Sequence, residues 1–315
     1  MSAKKIIYRI ISWAVVVSAY VFLGYQLYRF DDYGAFFEWL SQSDRTHYKW
    51  LLLTLALLPF NILFEALKWQ RLLRHLSPVS LREATRQVLW GQTGAFFTPN
   101  RLGEFPTRAL ALPEGKRLSG IALGFIGSLA QTIVISAVGV VSCLFFVHFV
   151  ADKAYQPVIQ QTAPVVGALA GVMLVGYFLL PLIGKLLHRF PRLKTGVLVA
   201  SLNEFTLRES LPVLLLSAIR YAIFSVQYYT ILQFFGVDIS LEQAAIAIPT
   251  FNLFLSYIPT VTVAELGVRT SFAALVIGAF STNTLGIIFS SAMIWAINFC
   301  LPMIAGSIFV RNIHR

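Results

Sequence analysis

The sequence predicts an all-α integral membrane protein with about six transmembrane helices and two re-entrant broken-helix hairpins, arranged as an inverted repeat. Three observations carry this. The 315 residues are 57% apolar and only 12% charged, against about a quarter charged in a soluble domain. Apolar runs of about 18 residues or more are continuous, whereas the strands of a membrane β-barrel alternate apolar and polar residues. Two further apolar stretches are interrupted by proline and glycine at matching places in the two halves.

The first predicted span, 10–28, follows Lys4, Lys5 and Arg9. Its apolar core is too long for a signal peptide, and it is read as uncleaved. The others are 48–67, 118–148, 163–187, 211–235 and 285–310. About 20 residues suffice to cross a hydrocarbon core of roughly 30 Å. The stretch 81–112 is broken around Pro99 and Gly103, and 241–280 is broken between Pro259 and Gly267. Proline removes a backbone donor and glycine loosens the chain, so a continuous helix fails at both places. Exposed backbone cannot face lipid, so each break lines a wet cavity or is buried in protein. Each stretch is therefore read as two half-helices entering and leaving on one side.

Basic residues orient the chain. Lys4, Lys5 and Arg9, then Lys68, Arg71, Arg74, Arg82 and Arg86, then Lys116 and Arg117, fall on one side of the membrane, as do Lys185, Arg189, Arg192, Lys194, Arg208, Arg311 and Arg315. The opposite side holds the acidic 29–47 loop with Asp31, Asp32, Glu38 and Asp44. The positive-inside rule then predicts a multi-pass protein of the cell (inner) membrane with both termini cytoplasmic. Trp50, Trp69 and Tyr228, near span ends, read as interface anchors. The net charge of +11 reads as cytoplasmic loops lying on anionic lipid. Nucleic-acid binding is excluded because no fold presents these short basic segments. Cys143 and Cys300 read as core residues, too few for a disulfide framework or zinc site.

At an offset of 160, Ser80-Leu81-Arg82-Glu83-Ala84 meets Ser240-Leu241-Glu242-Gln243-Ala244, and Phe64, Trp69 and Pro99 meet Phe224, Tyr229 and Pro259. With one insertion, Glu104 and Arg108 meet Glu265 and Arg269. The chain reads as one polytopic domain of two half-repeats, 1–150 and 160–315. Three crossings per half invert the second half, a pattern associated with secondary transporters.

Six charges are expected inside the membrane: Glu65, Glu104, Arg108, Arg220, Glu265 and Arg269, with Arg101 at its edge. Such charges are costly and need a partner or a task. Glu104–Arg108 and Glu265–Arg269 have the i, i+4 spacing and order of a helix ion pair, and Thr262 to Glu265 also fits a capping box. Simple neutralisation is thus one reading. The other places Arg101, Arg108, Arg220 and Arg269, with Glu104 and Glu265, around an anionic ligand at the start of the second half-helix, whose first turn suits Pro106. On this reading the two ion pairs act as gates around one phosphate site. Guanidinium forks suit phosphate oxygens.

Thr98-Pro99-x-Arg101-x-Gly103-Glu104, Lys68-Trp69-x-Arg71-Leu72-Leu73 and Leu266-Gly267-Val268-Arg269 resemble motifs of the lysylphosphatidylglycerol synthase transmembrane-region family. That flippase-like domain also forms the N-terminus of multiple peptide resistance factor. Asn100 stands where the family has glycine, Ala264 and Glu265 where glycines are usual, and Thr270 where Glu is usual. The resemblance implies a membrane protein that moves an anionic phospholipid or polyprenyl-phosphate lipid between leaflets, without the soluble aminoacyl-transfer domain and without a cofactor.

Two other classes remain open. A non-transporting membrane subunit or scaffold would keep its buried charges for structure alone. A membrane-embedded lipid or glycosyl transferase would need a metal site, for which Asp31-Asp32 is the sole candidate; no HExxH, GxSxG or P-loop occurs. The prediction is no catalysis, no metal, membrane lipid as the partner and compatibility with a homo-oligomer.

Overall fold

The computed structural model describes residues 45–149 apart from 97, 99 and 100, then 171–179, 207–258 and 262–310, with a few positions in 34–38 and 164–168. The predicted span 10–28, the end of the predicted span 163–187 from 180 onward, the acidic pair Asp31-Asp32, both prolines Pro99 and Pro259, and the basic 185–194 segment lie outside the described residues.

Every regular element among the described residues is helical. In chain order they are α1 (Arg45–Leu72), α2 (Leu81–Phe96), α3 (Glu104–Ala109), α4 (Arg117–Phe149), α5 (Leu207–Phe234), α6 (Leu241–Tyr257), α7 (Thr262–Val276), α8 (Thr284–Trp295) and α9 (Leu301–Val310). The five-residue π-helical segment Ala296–Cys300 joins α8 to α9. Four helical stretches are long and apolar enough to cross a membrane: His47–Leu72, Glu114–Phe149, Arg208–Phe234 and Thr284–Ile308. They coincide with four of the six predicted spans. Their outward faces carry exposed Leu52, Val141, Leu144, Leu215 and Ile304. Their inward faces bury Thr54, Asn61, Glu65, Ser136, Ser217 and Gln227. Lipid accepts the first set, whereas the second must find partners inside the bundle.

Those partners define the packing. Helices α1 and α5 are antiparallel, because their contacts run in opposite senses along the two chains. Thr54 Oγ1 meets Thr230 Oγ1 at 2.8 Å, Asn61 Nδ2 donates to Gln227 Oε1 at 3.2 Å, and Glu65 meets Arg220 at 2.9 Å. Small residues seat the other helices, as membrane packing favours. A Cβ added at Gly139 of α4 would lie 2.7 Å from Leu253 Cβ and 3.0 Å from the Pro249 carbonyl of α6. Gly306 of α9 receives α2 in the same manner, against the Leu89 carbonyl and Thr93. Ser80 and Ser240, the pair aligned in the sequence, each accept a backbone N–H at the start of α2 and α6, from Glu83 and Gln243 at 3.2 Å. At α6 the capping box is complete, with Ser240 N donating to Gln243 Oε1 at 3.0 Å.

The break after α2 is tied down locally. Thr98 Oγ1 donates back towards the Gly94 carbonyl at 3.2 Å and accepts from Gly103 N at 2.7 Å. Arg101 has φ 59°, the one positive value at a non-glycine residue among those described. That left-handed conformation is uncommon for a residue with a side chain and points to a constrained site. Phe105 then anchors α3 against Gly124 of α4, where an added Cβ would come within 2.9 Å of its ring.

Two sequence readings are corrected. Trp69 and Tyr228 are not interface anchors, for both are fully buried. Trp69 Nε1 donates to Gln87 Oε1 at 2.7 Å, and the Tyr228 ring stacks on Phe251 at 5.5 Å. Lys68 is not a surface cation of a cytoplasmic loop: α1 continues past it to Leu72 and leaves it 2% exposed.

Candidate functional site

The charges expected inside the membrane divide into two groups around adjoining cavities. The smaller cavity, about 180 Å³, is lined by Glu65, Lys68, Trp69, Gln92, Glu104 and Arg108, among others. The larger, about 620 Å³, is lined by Asn61, Glu265, Arg269 and Asn252, among others. Arg101, Gln131 and Arg220 border both.

Glu65 is the hub of the smaller group. Its carboxylate meets Lys68 Nζ at 2.7 Å, Arg108 Nη1 at 2.9 Å and Arg220 Nη1 at 2.9 Å. One turn of α1 supplies Lys68, α3 supplies Arg108 and α5 supplies Arg220, so this ion cluster pins three elements together. Arg108 also pairs with Glu104, one turn before it, and its guanidinium lies 5.6 Å from the Trp69 ring centre. Gly91 makes room for it, since a Cβ there would lie 2.6 Å from Arg108 Cγ. The Arg108 side chain is 3% exposed, and it is committed to two carboxylates.

The larger cavity is different. Arg101, on the left-handed break, donates to Gln92 Oε1 at 3.1 Å and lies 4.1 Å over the Phe299 ring. It has no ion pair among the described residues. The π-helical segment supplies that ring, and it also supplies Asn298, whose Oδ1 accepts from Asn61 Nδ2 at 3.1 Å. Such segments are frequent at functional sites. Arg220 donates through Nε to Asn61 Oδ1 at 2.9 Å, and its guanidinium bridges the two cavities. Arg269 has one carboxylate, Glu265, at 3.4 Å. The Nε–H groups of Arg101 and Arg269 are buried without a partner among the described residues. Lone buried donors of this kind are costly and call for a ligand or water.

The cation excess is thus built by side chains. The helix-end argument does not apply at α3, because a six-residue helix has little dipole and Glu104 already occupies its first turn. The two ion pairs that match in sequence differ in setting. Glu104–Arg108 is drawn into the Glu65 cluster, whereas Glu265–Arg269 borders the large cavity alone. Of the predicted structural breaks, Gly103 lies in the turn before α3, and Pro99 and Pro259 lie outside the described residues; Gly267 is not a break, because α7 runs through it without interruption from Thr262 to Val276 and its neighbours are helix formers. Among the described residues no cluster of His, Cys, Asp or Glu has the make-up of a metal site.

Sequence reasoning missed Lys68, Asn61, Gln131 and Phe299. The i, i+3 spacing of Lys68 from the intramembrane Glu65 was a usable signal for the first. Nothing in the sequence marked the others.

A bundle of long apolar helices with polar and ionic groups turned inward, around a cation-rich cavity, defines a helical membrane protein. The chain belongs to the family described as the lysylphosphatidylglycerol synthase TM region, whose sequence model matches residues 9–306. This makes it a membrane protein related to lipid handling. No curated protein and no solved structure matches the chain.

Proposed function

We propose that the protein is a flippase-like lipid transporter, moving an anionic phospholipid or a polyprenyl-phosphate lipid between leaflets and leaving it chemically unchanged. One observation carries the reading. Arg101, Arg220 and Arg269, from three separate elements, border one cavity inside an otherwise apolar bundle. The acyl or prenyl tails stay in the bilayer, and only the headgroup has to exchange its water for guanidinium groups. Membrane lipid is then the partner, and the protein works without a cofactor and without catalysis.

The same reading takes the chain as one domain of two inverted halves, 1–150 and 160–315, with six spans in the cell inner membrane and both termini cytoplasmic. Helices α2–α3 and α6–α7 are the two re-entrant hairpins. The paired caps at Ser80 and Ser240, the paired glycine seats at Gly139 and Gly306, and the antiparallel crossing of α1 with α5 support it. Rocking of the halves would expose the cavity to one leaflet at a time.

Reconstituted vesicles test the proposal. The parent protein should move a labelled anionic lipid between leaflets, and Arg220→Gln should slow this by about tenfold or more, the equivalent of one lost charge-assisted contact. Transport by the parent no faster than in protein-free vesicles refutes it.

A further inference from the structure

The charge distribution narrows the headgroup, and this step rests on the transport reading above. Across the two cavities five cations, Lys68, Arg101, Arg108, Arg220 and Arg269, face three carboxylates, Glu65, Glu104 and Glu265. Every one of the three carboxylates already has a cation: Glu65 has Lys68, Arg108 and Arg220, Glu104 has Arg108, and Glu265 has Arg269. Two positive charges are left over, and no carboxylate is left to receive a positively charged headgroup.

We propose that the transported headgroup is a dianionic terminal phosphate, a phosphate monoester with three unesterified oxygens and no ammonium group. A phosphodiester offers two free oxygens and one charge. It would leave one of the surplus cations uncompensated. A monoester balances both. Its three oxygens also match the number of guanidinium groups that border the large cavity, namely Arg101, Arg220 and Arg269. The buried, unpartnered Nε–H groups of Arg101 and Arg269 are donors that such oxygens can accept. An aminoacylated or zwitterionic lipid would instead bring an ammonium group against three guanidinium groups, with no carboxylate unengaged to offset it.

The test uses the full chain in nanodiscs of phosphatidylcholine. Phosphatidic acid is compared with phosphatidylglycerol and phosphatidylethanolamine of the same tails, and with inorganic phosphate. At pH 8 phosphatidic acid should bind about tenfold or more tightly than phosphatidylglycerol, one charge's worth of selectivity. The preference should shrink near pH 5, about one unit below the usual second phosphate pKa of about 6, where the monoester becomes a monoanion. Arg269→Gln, checked for an unchanged melting curve, should reduce the preference as well. Equal binding of the two anionic lipids, with transport intact, overturns the inference and leaves the transport reading standing. Inorganic phosphate competing as well as phosphatidic acid overturns a lipid headgroup as the source of the phosphate. No binding of any lipid, with no transport, overturns both the transport reading and the inference.

Discussion

Glu65→Gln isolates the largest electrostatic feature of the bundle. The substitution keeps the shape of the side chain and removes its charge, leaving Lys68, Arg108 and Arg220 without the carboxylate that all three share. Lys68 and Arg108 have side chains 3% exposed, so water cannot screen them, whereas Arg220 at 27% is partly relieved. Removing one partner of a buried ion pair costs about 3–5 kcal/mol. Glu104 still compensates Arg108, so the cost stays within that range. At roughly 2–4 °C per kcal/mol, the melting temperature should fall by roughly 6–20 °C. Thermal melting of the purified protein in detergent, followed by circular dichroism, measures it. The double variant Glu65→Gln with Lys68→Met removes one stranded cation and should recover part of the loss, with a coupling of about 0.5–3 kcal/mol. A melting temperature within about 2 °C of the parent for Glu65→Gln, less than the shift expected from a single kcal/mol, would show that the cluster is solvated and the reasoning wrong.

Two further outcomes are expected. Gly139→Val would push a branched side chain into Leu253 and the Pro249 carbonyl, and backbone cannot yield as a flexible side chain would. It should destabilise the protein by about 1–3 kcal/mol in the same melting assay, whereas Gly278→Ala, with nothing within 4 Å of the added Cβ, should leave the melt unchanged. Cysteines placed at Asn100 and Thr260 should react with membrane-impermeant label from opposite sides of the membrane; label reaching both from one side rules out inverted hairpins.

Much of the architecture was legible because a membrane imposes it. Long apolar runs set the four helices His47–Leu72, Glu114–Phe149, Arg208–Phe234 and Thr284–Ile308 to within a few residues. The helix starts at Leu81 and Leu241 follow from a serine with Glu or Gln three residues on. Polarity also flagged Glu65, Arg108, Arg220 and Arg269 as charges within the apolar bundle, where Glu65 and Arg108 are buried. The misplacement of Lys68 has a physical cause. A hydropathy window ends a span at the first cation, yet a lysine one turn from a buried glutamate can stay inside by pairing with it. Arg101 was placed at the membrane edge for a related reason: its neighbours are polar, and only the folded break reveals that its guanidinium turns onto Phe299. Asn61 and Gln131 could not be read at all. Their roles come from facing Arg220 across the bundle, a relation with no sequence spacing.

On the transport reading proposed above, Arg220 would resolve a tension that any anion carrier faces. A cavity positive enough to draw a phosphate out of water is also positive enough to keep it. Here the guanidinium that bridges the two cavities already has a carboxylate, Glu65 at 2.9 Å, and an amide acceptor, Asn61 at 2.9 Å. A headgroup entering the large cavity would share Arg220 with Glu65 and Arg269 with Glu265, and neither carboxylate would be set free. Lys68 and Arg108 would hold Glu65 in place meanwhile, so it would regain Arg220 in full when the headgroup leaves. Affinity would then be set by a difference between ion pairs, not by the full strength of one, a difference small enough for release.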